Sequence, residues 1–203
     1  MPVQGERSNG SAVTRILDVA ERLVQHRGFN GFSYADVAAE LNVTKASLHY
    51  HFASKAELGE ALITRYTRRF VAALAEIQRL DLDARAALEA YAELYAEVLR
   101  GRRMCLCGML AAEYQTLPKQ MQDAVIRFFD QNEAWLESVL EQGRSKGTLR
   151  FRESAREAAR LVVSALEGAM LTARPFEDVD RFQAAATVLL SSLTDTGAVA
   201  THS

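Results

Sequence analysis

The chain has 203 residues, 49% hydrophobic and 25% charged, which suits a soluble globular protein with a real core in one large or two small domains. A net charge of -2 and a pI near 6.1 give no chain-wide nucleic-acid signature, which would put a domain above about 9. Two cysteines, Cys105 and Cys107, are too few for a disulfide scaffold. No apolar run reaches the roughly 18–20 residues of a membrane span and the start has no signal-peptide core, so a cytoplasmic protein with no membrane partner is expected.

Residues 1–10 are polar and glycine-containing and are expected to form a disordered arm. From Ser11 to Arg27, the stripe Val13, Ile16, Leu17, Ala20, Leu23 and Val24 marks a first helix, ended by Gly28. Phe29 to Leu58 reads as two short helices joined by a tight turn, then the capped start of another. Ser33 caps the second helix with Asp36 three residues on, and Asn42 supplies a left-handed turn residue. Thr44 caps a third helix, Lys45 to His51, with Leu48 and Phe52 packed beneath it. Ser54 and Glu57 form a capping box for the fourth. Such a helix-turn-helix can place its second helix in a DNA major groove. Residues 1–55 carry six Lys/Arg against five acids, a local balance of only +1.

The fourth helix runs to about Arg79, too long to belong to the small N-terminal unit alone. Leu80 to Asp83 breaks the pattern, with Asp83 as a cap, and a fifth helix follows to near Gly101. A sixth is expected from about Arg103 to Gln115, and Pro118 opens a long seventh that ends before Gly147. Ser154 and Glu157 form another capping box for a helix to about Ala173. Pro175 stops it, and Asp178 caps the last helix. The expectation is an all-α fold of about nine helices. Its parts are the arm 1–10, a three-helix helix-turn-helix domain 11–57, a connecting helix 58–79, a helical domain 80–195 and a disordered tail 196–203.

The run Phe29-x-x-Phe-Ser-Tyr-x-Asp-Val-Ala, then Leu41-Asn-Val-Thr-Lys-Ala-Ser-Leu-His-Tyr-His-Phe-x-Ser-Lys-x-x-Leu58, resembles the DNA-binding domain of TetR/AcrR-type transcriptional regulators. The likeness is close over about residues 12–58, and the nine-helix layout fits the whole chain. Asn42 stands where the family's turn glycine is usual, and His49 and His51 replace usual tyrosine or phenylalanine positions. The resemblance implies a homodimer whose C-terminal domain binds a small molecule, moving the fourth helix and releasing the operator. More loosely, MCLCGMLAAEYQTLPKQM resembles the branch of the N-ethylmaleimide-responsive repressor, whose members sense electrophiles through cysteine.

For base edges, the expected exposed face is Thr44, Lys45, Ala46, Ser47 and His49, with Lys45 suited to a guanine and Ala46 to a thymine methyl. Tyr50, His51 and Lys55, with Ser33 and Tyr34, are expected at phosphates, Lys55 lying on the positive first turn of the fourth helix. The competing reading makes them solvated polar residues of a structural three-helix unit. His49 and His51 diverge by about 200° on a helix, which argues against a metal pair.

A ligand pocket is drawn from Tyr91, Tyr95, Cys105, Cys107, Met109, Tyr114, Phe128, Asn132, Trp135 and Met170, all of which also suit an ordinary core. Arg102 and Arg103 near a helix start favour thiolate at Cys105 or Cys107, while buried cysteines also serve as small hydrophobes. Apolar residues on more than one face of the last two helices point to a dimer interface from Leu161, Val162, Leu166, Met170, Phe182, Leu189, Leu190 and Leu193.

The expected protein is therefore a dimeric regulator, a repressor released from a palindromic double-stranded DNA operator by an unidentified small-molecule inducer, with no cofactor and no metal. One alternative is a repressor that senses electrophiles or oxidants by cysteine; another is a helical module that binds protein. An enzyme is not expected, because the chain offers no acid-base constellation and no glycine-rich cofactor loop.

Overall fold

The computed structural model describes residues 4–194, and the tail expected over 196–203 lies outside them. Among the described residues there are nine α-helices, two 3-10 turns and no strand. The helices are α1 (Gln4–Arg27), α2 (Tyr34–Leu41), α3 (Lys45–His51), α4 (Lys55–Arg79), α5 (Ala84–Arg100), α6 (Leu106–Ala112), α7 (Lys119–Ser145), α8 (Ala155–Ala173) and α9 (Val179–Ser192). The 3-10 turns are Tyr114–Thr116 and Arg174–Phe176.

Boundaries of α1 and α6 differ from the sequence expectation, and α6 ends at Ala112, short of the expected Gln115. α1 begins at Gln4, inside the segment expected as an arm. No proline falls between Gln4 and Val13, and extending a helix already nucleated by the Val13–Val24 stripe costs far less than starting one. α6 begins only at Leu106, with Cys105 as its cap, because Met104 is held out of helix by hydrogen bonds with Gln25.

The chain divides into two compact units. One comprises residues up to Phe70 together with Arg103–Phe128; the other comprises Val71–Arg102 and the chain from Phe129 onward. Residues 103–128, which the sequence places with the C-terminal domain, thus cluster with the helix-turn-helix.

In the first unit, Ile16, Ala20, Leu23 and Val24 of α1 bury with Val37, Leu48, Leu58, Leu62 and Tyr66. Leu106, Leu110, Met121 and Phe128 complete that core, and Phe128 meets Tyr66 at 5.7 Å and Phe70 at 5.3 Å between ring centres. Glu21 of α1 is buried, and Arg65 of α4 donates to it at 2.7 Å while Arg69 donates to its other oxygen. A buried carboxylate is tolerable only with such pairing.

In the second unit, Leu88, Tyr91 and Tyr95 of α5 bury with Leu136 and Leu140 of α7, Val162, Leu166 and Met170 of α8, and Phe182 and Leu190 of α9. Caps set the helix starts. Asp83 accepts from Ala86 N at 2.8 Å, Ser154 from Glu157 N at 3.2 Å, and Asp178 from Asp180 N at 3.0 Å. Each such cap is worth about 1 kcal/mol.

Candidate nucleic-acid interface

The geometry of α2 and α3 follows from a few local interactions. Asp36 accepts from both the backbone N–H and the hydroxyl of Ser33, each at 2.7 Å, which fixes the start of α2. Hydrogen bonding from Ser33, with Arg27 contributing less, holds the Asp36 carboxyl below the usual carboxylate range. At the other end Asn42 has φ 53° and ψ 49°, the left-handed conformation that turns the chain toward α3. Thr44 then accepts from Ser47 N at 3.2 Å. Leu48 is buried beneath α3 and Phe52 behind it.

This anchoring leaves one face of α3 in solvent. Thr44, Lys45, Ala46, Ser47, His49 and Tyr50 are all exposed, Tyr50 to 81%. His51 is half-buried and meets Tyr50 edge-on at 5.1 Å. His49 contacts the Ala53 carbonyl at 3.2 Å through Nδ1 and lies 4.6 Å from the Tyr34 ring. A recess of about 350 Å³ lies between the start of α2 and α3, lined by Ser33, Tyr34, Lys45, His49 and Lys55 among others.

Two residues expected at phosphates are engaged inside the unit instead. Tyr34 is buried and its hydroxyl donates to the Phe52 carbonyl at 2.9 Å. Burial, with the nearby Glu57 carboxylate, pushes its pKa up to about 12. Lys55 donates to the Phe32 carbonyl at 2.5 Å, with its ammonium 4.6 Å from the Phe29 ring centre and 4.4 Å from that of Phe32. Burial lowers the Lys55 pKa, against the attraction of Glu113 and Asp36. The capping box expected for α4 forms only in half. Ser54 accepts from Glu57 N at 3.2 Å, while the Glu57 carboxylate takes the N–H of Ala53 at 2.9 Å.

Sequence reasoning missed Glu113 and Gln25. The Glu113 carboxylate accepts the backbone N–H of Phe29 at 2.5 Å and that of Asn30 at 3.3 Å. Asn30 donates in turn to the Thr116 hydroxyl at 2.7 Å. The buried Gln25 side chain donates to the Met104 carbonyl at 2.9 Å, and Met104 N returns a bond to the Gln25 carbonyl at 3.3 Å. Both flanks of α6 are thereby tied to the end of α1. No local pattern signals these partners, which lie 84 and 79 residues apart in sequence.

The residues expected to bind ligand fall into both units. In the first, Cys105, Cys107 and Phe128 are buried, and Met109 and Tyr114 are half-buried. The Cys105 sulfur accepts from Gly108 N at 3.5 Å and from the Tyr66 hydroxyl at 3.6 Å. Arg103 turns its guanidinium to Gln25 Oε1 at 3.4 Å. In the second, Tyr91, Tyr95, Asn132 and Met170 are buried. Tyr91 contacts Asn132 Oδ1 and the Tyr95 hydroxyl, each at 3.1 Å, and its ring stacks on the half-buried Trp135 at 5.6 Å.

The expected dimer residues mostly turn inward. Val162, Leu166, Met170, Phe182, Leu190 and Leu193 are buried in the chain's own core, Leu189 is half-buried, and only Leu161 is exposed. Leu171 and Val188 are also exposed, to 60% and 72%. A helix apolar on two faces does not announce which face its own core takes.

Among the described residues no helix is long and apolar enough to cross a membrane, and no cluster of His, Cys, Asp and Glu could hold a metal ion.

Comparison with known proteins matches residues 16–62 to the family model of bacterial regulatory proteins, tetR family, and residues 77–189 to that of the tetracyclin repressor-like C-terminal domain. A 77-residue stretch is 31% identical to the HTH-type transcriptional repressor KstR2 of Rhodococcus jostii (strain RHA1), spanning 38% of each chain, so the likeness covers well under half of that relative. A TetR-family transcriptional regulator from Agrobacterium tumefaciens is similar in structure, with a TM-score of 0.88 and 32% identity over 92% of this chain and all of that one. The reduced form of E. coli NemR gives a TM-score of 0.78 at 25% identity, over 92% of this chain and 99% of that one.

Proposed function

The chain belongs to the tetR family of bacterial regulatory proteins, and on that premise we propose that it is a homodimeric repressor released from a palindromic operator by a small molecule. The observation that carries this reading is the exposed face of α3, where Thr44, Lys45, Ala46, Ser47, His49 and Tyr50 project from a helix anchored by Leu48. Its seven residues suit insertion by the N-terminal end, so Thr44 to Ser47 are assigned to base edges, and His49, Tyr50 and His51 to the adjoining bases and phosphates. Ser33, exposed at the start of α2, is assigned to a phosphate.

Dimerisation is assigned to α8 and α9, through the outward residues Leu161, Leu171 and Val188. Two heads on one dimer compensate for a weakly charged single head, because the second binds at high effective concentration. The regulatory domain is assigned to the C-terminal helices from about residue 80, and within the DNA-reading unit the 103–116 segment is tied to the end of α1.

Cysteine sensing is the weaker alternative. The Cys105 sulfur accepts the Gly108 N–H at the start of α6, yet Cys105 and Cys107 are both buried and Arg103 faces Gln25.

The deciding experiment titrates the protein against DNA from upstream of its own gene at several salt concentrations. Specific binding to an inverted repeat, falling steeply with salt, is expected. Affinity that stays flat with salt, or the absence of any specific site, refutes the reading.

A further inference from the structure

We propose that the cavity formed by the end of α4, the start of α5 and the middle of α7 binds a small organic cation carrying an apolar group. The cavity holds about 330 Å³, at the small end of ligand sites. Its apolar wall includes Ile77, Val139 and the ring of Trp135. One face of that indole stacks on Tyr91, whose hydroxyl is held by Asn132, so the ring is fixed in place yet only half-buried. An immobilised indole is the best aromatic partner for a cation.

The polar rim gives the sign of the guest. Gln78, Gln142 and Asp81 contribute to it, and no Lys, Arg or His lines the cavity. Asp81 sits just past the end of α4 with φ 48° and an exposed side chain. Capping of α5 is done by Asp83 instead, leaving the Asp81 carboxylate at the rim. Arg79, the nearest base in sequence, is taken up by Glu76 at 2.5 Å. The C-terminal end of α4 adds its own partial negative charge at this spot. A carboxylate, a helix C-terminus and an indole face favour a cation and disfavour an anion, while the two glutamines can bond to a polar substituent. Binding stands on this geometry alone; only its transmission to DNA rests on the regulator reading above.

Trp135 is the chain's single tryptophan, so its emission reports on the cavity directly. Full-length protein is titrated with benzyltrimethylammonium, benzenesulfonate and benzyl alcohol at matched ionic strength. The cation is expected to change the emission saturably, at a midpoint at least tenfold below those of the other two. Asp81→Asn, which keeps a residue tolerant of the left-handed backbone, is expected to weaken the cation about tenfold and leave benzyl alcohol unchanged. A thermal-shift titration of Trp135→Phe, which keeps an aromatic face without the reporter, is expected to retain cation stabilisation. Equal midpoints for cation and sulfonate, or an unchanged midpoint in Asp81→Asn, overturn the proposal. Saturable cation binding with no effect on operator affinity would uphold the site and refute its use as an inducer site.

Discussion

The Glu113 carboxylate receives the Phe29 backbone N–H at 2.5 Å, and so the turn between α1 and α2 is closed by a side chain from beyond α6. Gly28, with φ 81°, makes room for it: a Cβ there would stand 2.5 Å from the same carboxylate. Removing the carboxylate leaves the N–H of the buried Phe29 without its acceptor, at about 1–3 kcal/mol for a buried group left unsatisfied, while the exposed Asn30 N–H can turn to water. Glu113→Ala is expected to lower Tm by roughly 3–8 °C at this chain length. Amide exchange at Phe29 and Asn30 should quicken, while α8 and α9 keep their protection. Unchanged exchange at those two amides would mean that the contact contributes nothing in solution.

Asn42 is a second point where one residue sets the path of the chain. Its left-handed backbone suits asparagine and glycine and strains a β-branched residue. Asn42→Gly should fall within about 1 kcal/mol of the parent, whereas Asn42→Val should cost roughly 1–3 kcal/mol. Urea unfolding of both variants checks the difference, and equal midpoints would remove the turn from the account.

The capping carboxylates set the acid limb of stability. Asp36 and Glu157 both have pKa values lowered from the usual range, chiefly by hydrogen bonds from Ser33 and Ser154 respectively. Each native carboxyl therefore binds fewer protons than its unfolded counterpart. The stability it adds is complete above the ordinary carboxylate range near pH 4–4.5 and is lost as pH falls through the lower native values. Asp36→Asn/Glu157→Gln should lose less Tm than the parent between pH 5 and pH 3. Parallel melting curves across that interval would show that these caps carry no charge-dependent stability.

The two thiols offer a test of the weaker sensing alternative. Cys105 and Cys107 are buried at 1% and 0% exposure, so alkylation must await local opening. Maleimide labelling of the native protein should run at least tenfold slower than that of urea-unfolded protein. Native labelling as fast as unfolded, with loss of operator binding, would make cysteine sensing the leading reading.

The helices were legible because their signals are local. Stripes, caps and Asn42 each act within a few residues, and α4 begins and ends where the pattern places it. The exposed face of α3 was legible because exposure follows from helical phase, as at Lys45 and His49 opposite Leu48. It was obscured where a polar side chain chooses between solvent and a distant partner. Tyr34 and Lys55 look like phosphate ligands until Phe52 and Phe32 present their carbonyls. Gln25 and Glu113 find their partners only once the fold is complete. The apolar stripe of α8 likewise left open whether Val162 or Leu161 faces the protomer's own core, a choice made by packing against α5 and α9.

Lys45 is the residue whose proposed role at DNA can be tested most directly. It is exposed at the first position of α3, just after the Thr44 cap. A lysine on guanine O6 and N7 discriminates among bases, whereas one on a phosphate adds affinity without sequence preference. As a base reader, Lys45→Ala should cost about 1–3 kcal/mol at the operator, roughly 5- to 150-fold in Kd. It should also relax preference at one symmetric pair of positions and leave binding to unrelated DNA nearly intact. As a phosphate ligand it should instead weaken all sequences alike and reduce the salt slope by about one per head. Operator titrations at several salt concentrations, against a panel of single-base variants, separate these outcomes. The base-reading assignment fails if the variant panel shifts uniformly.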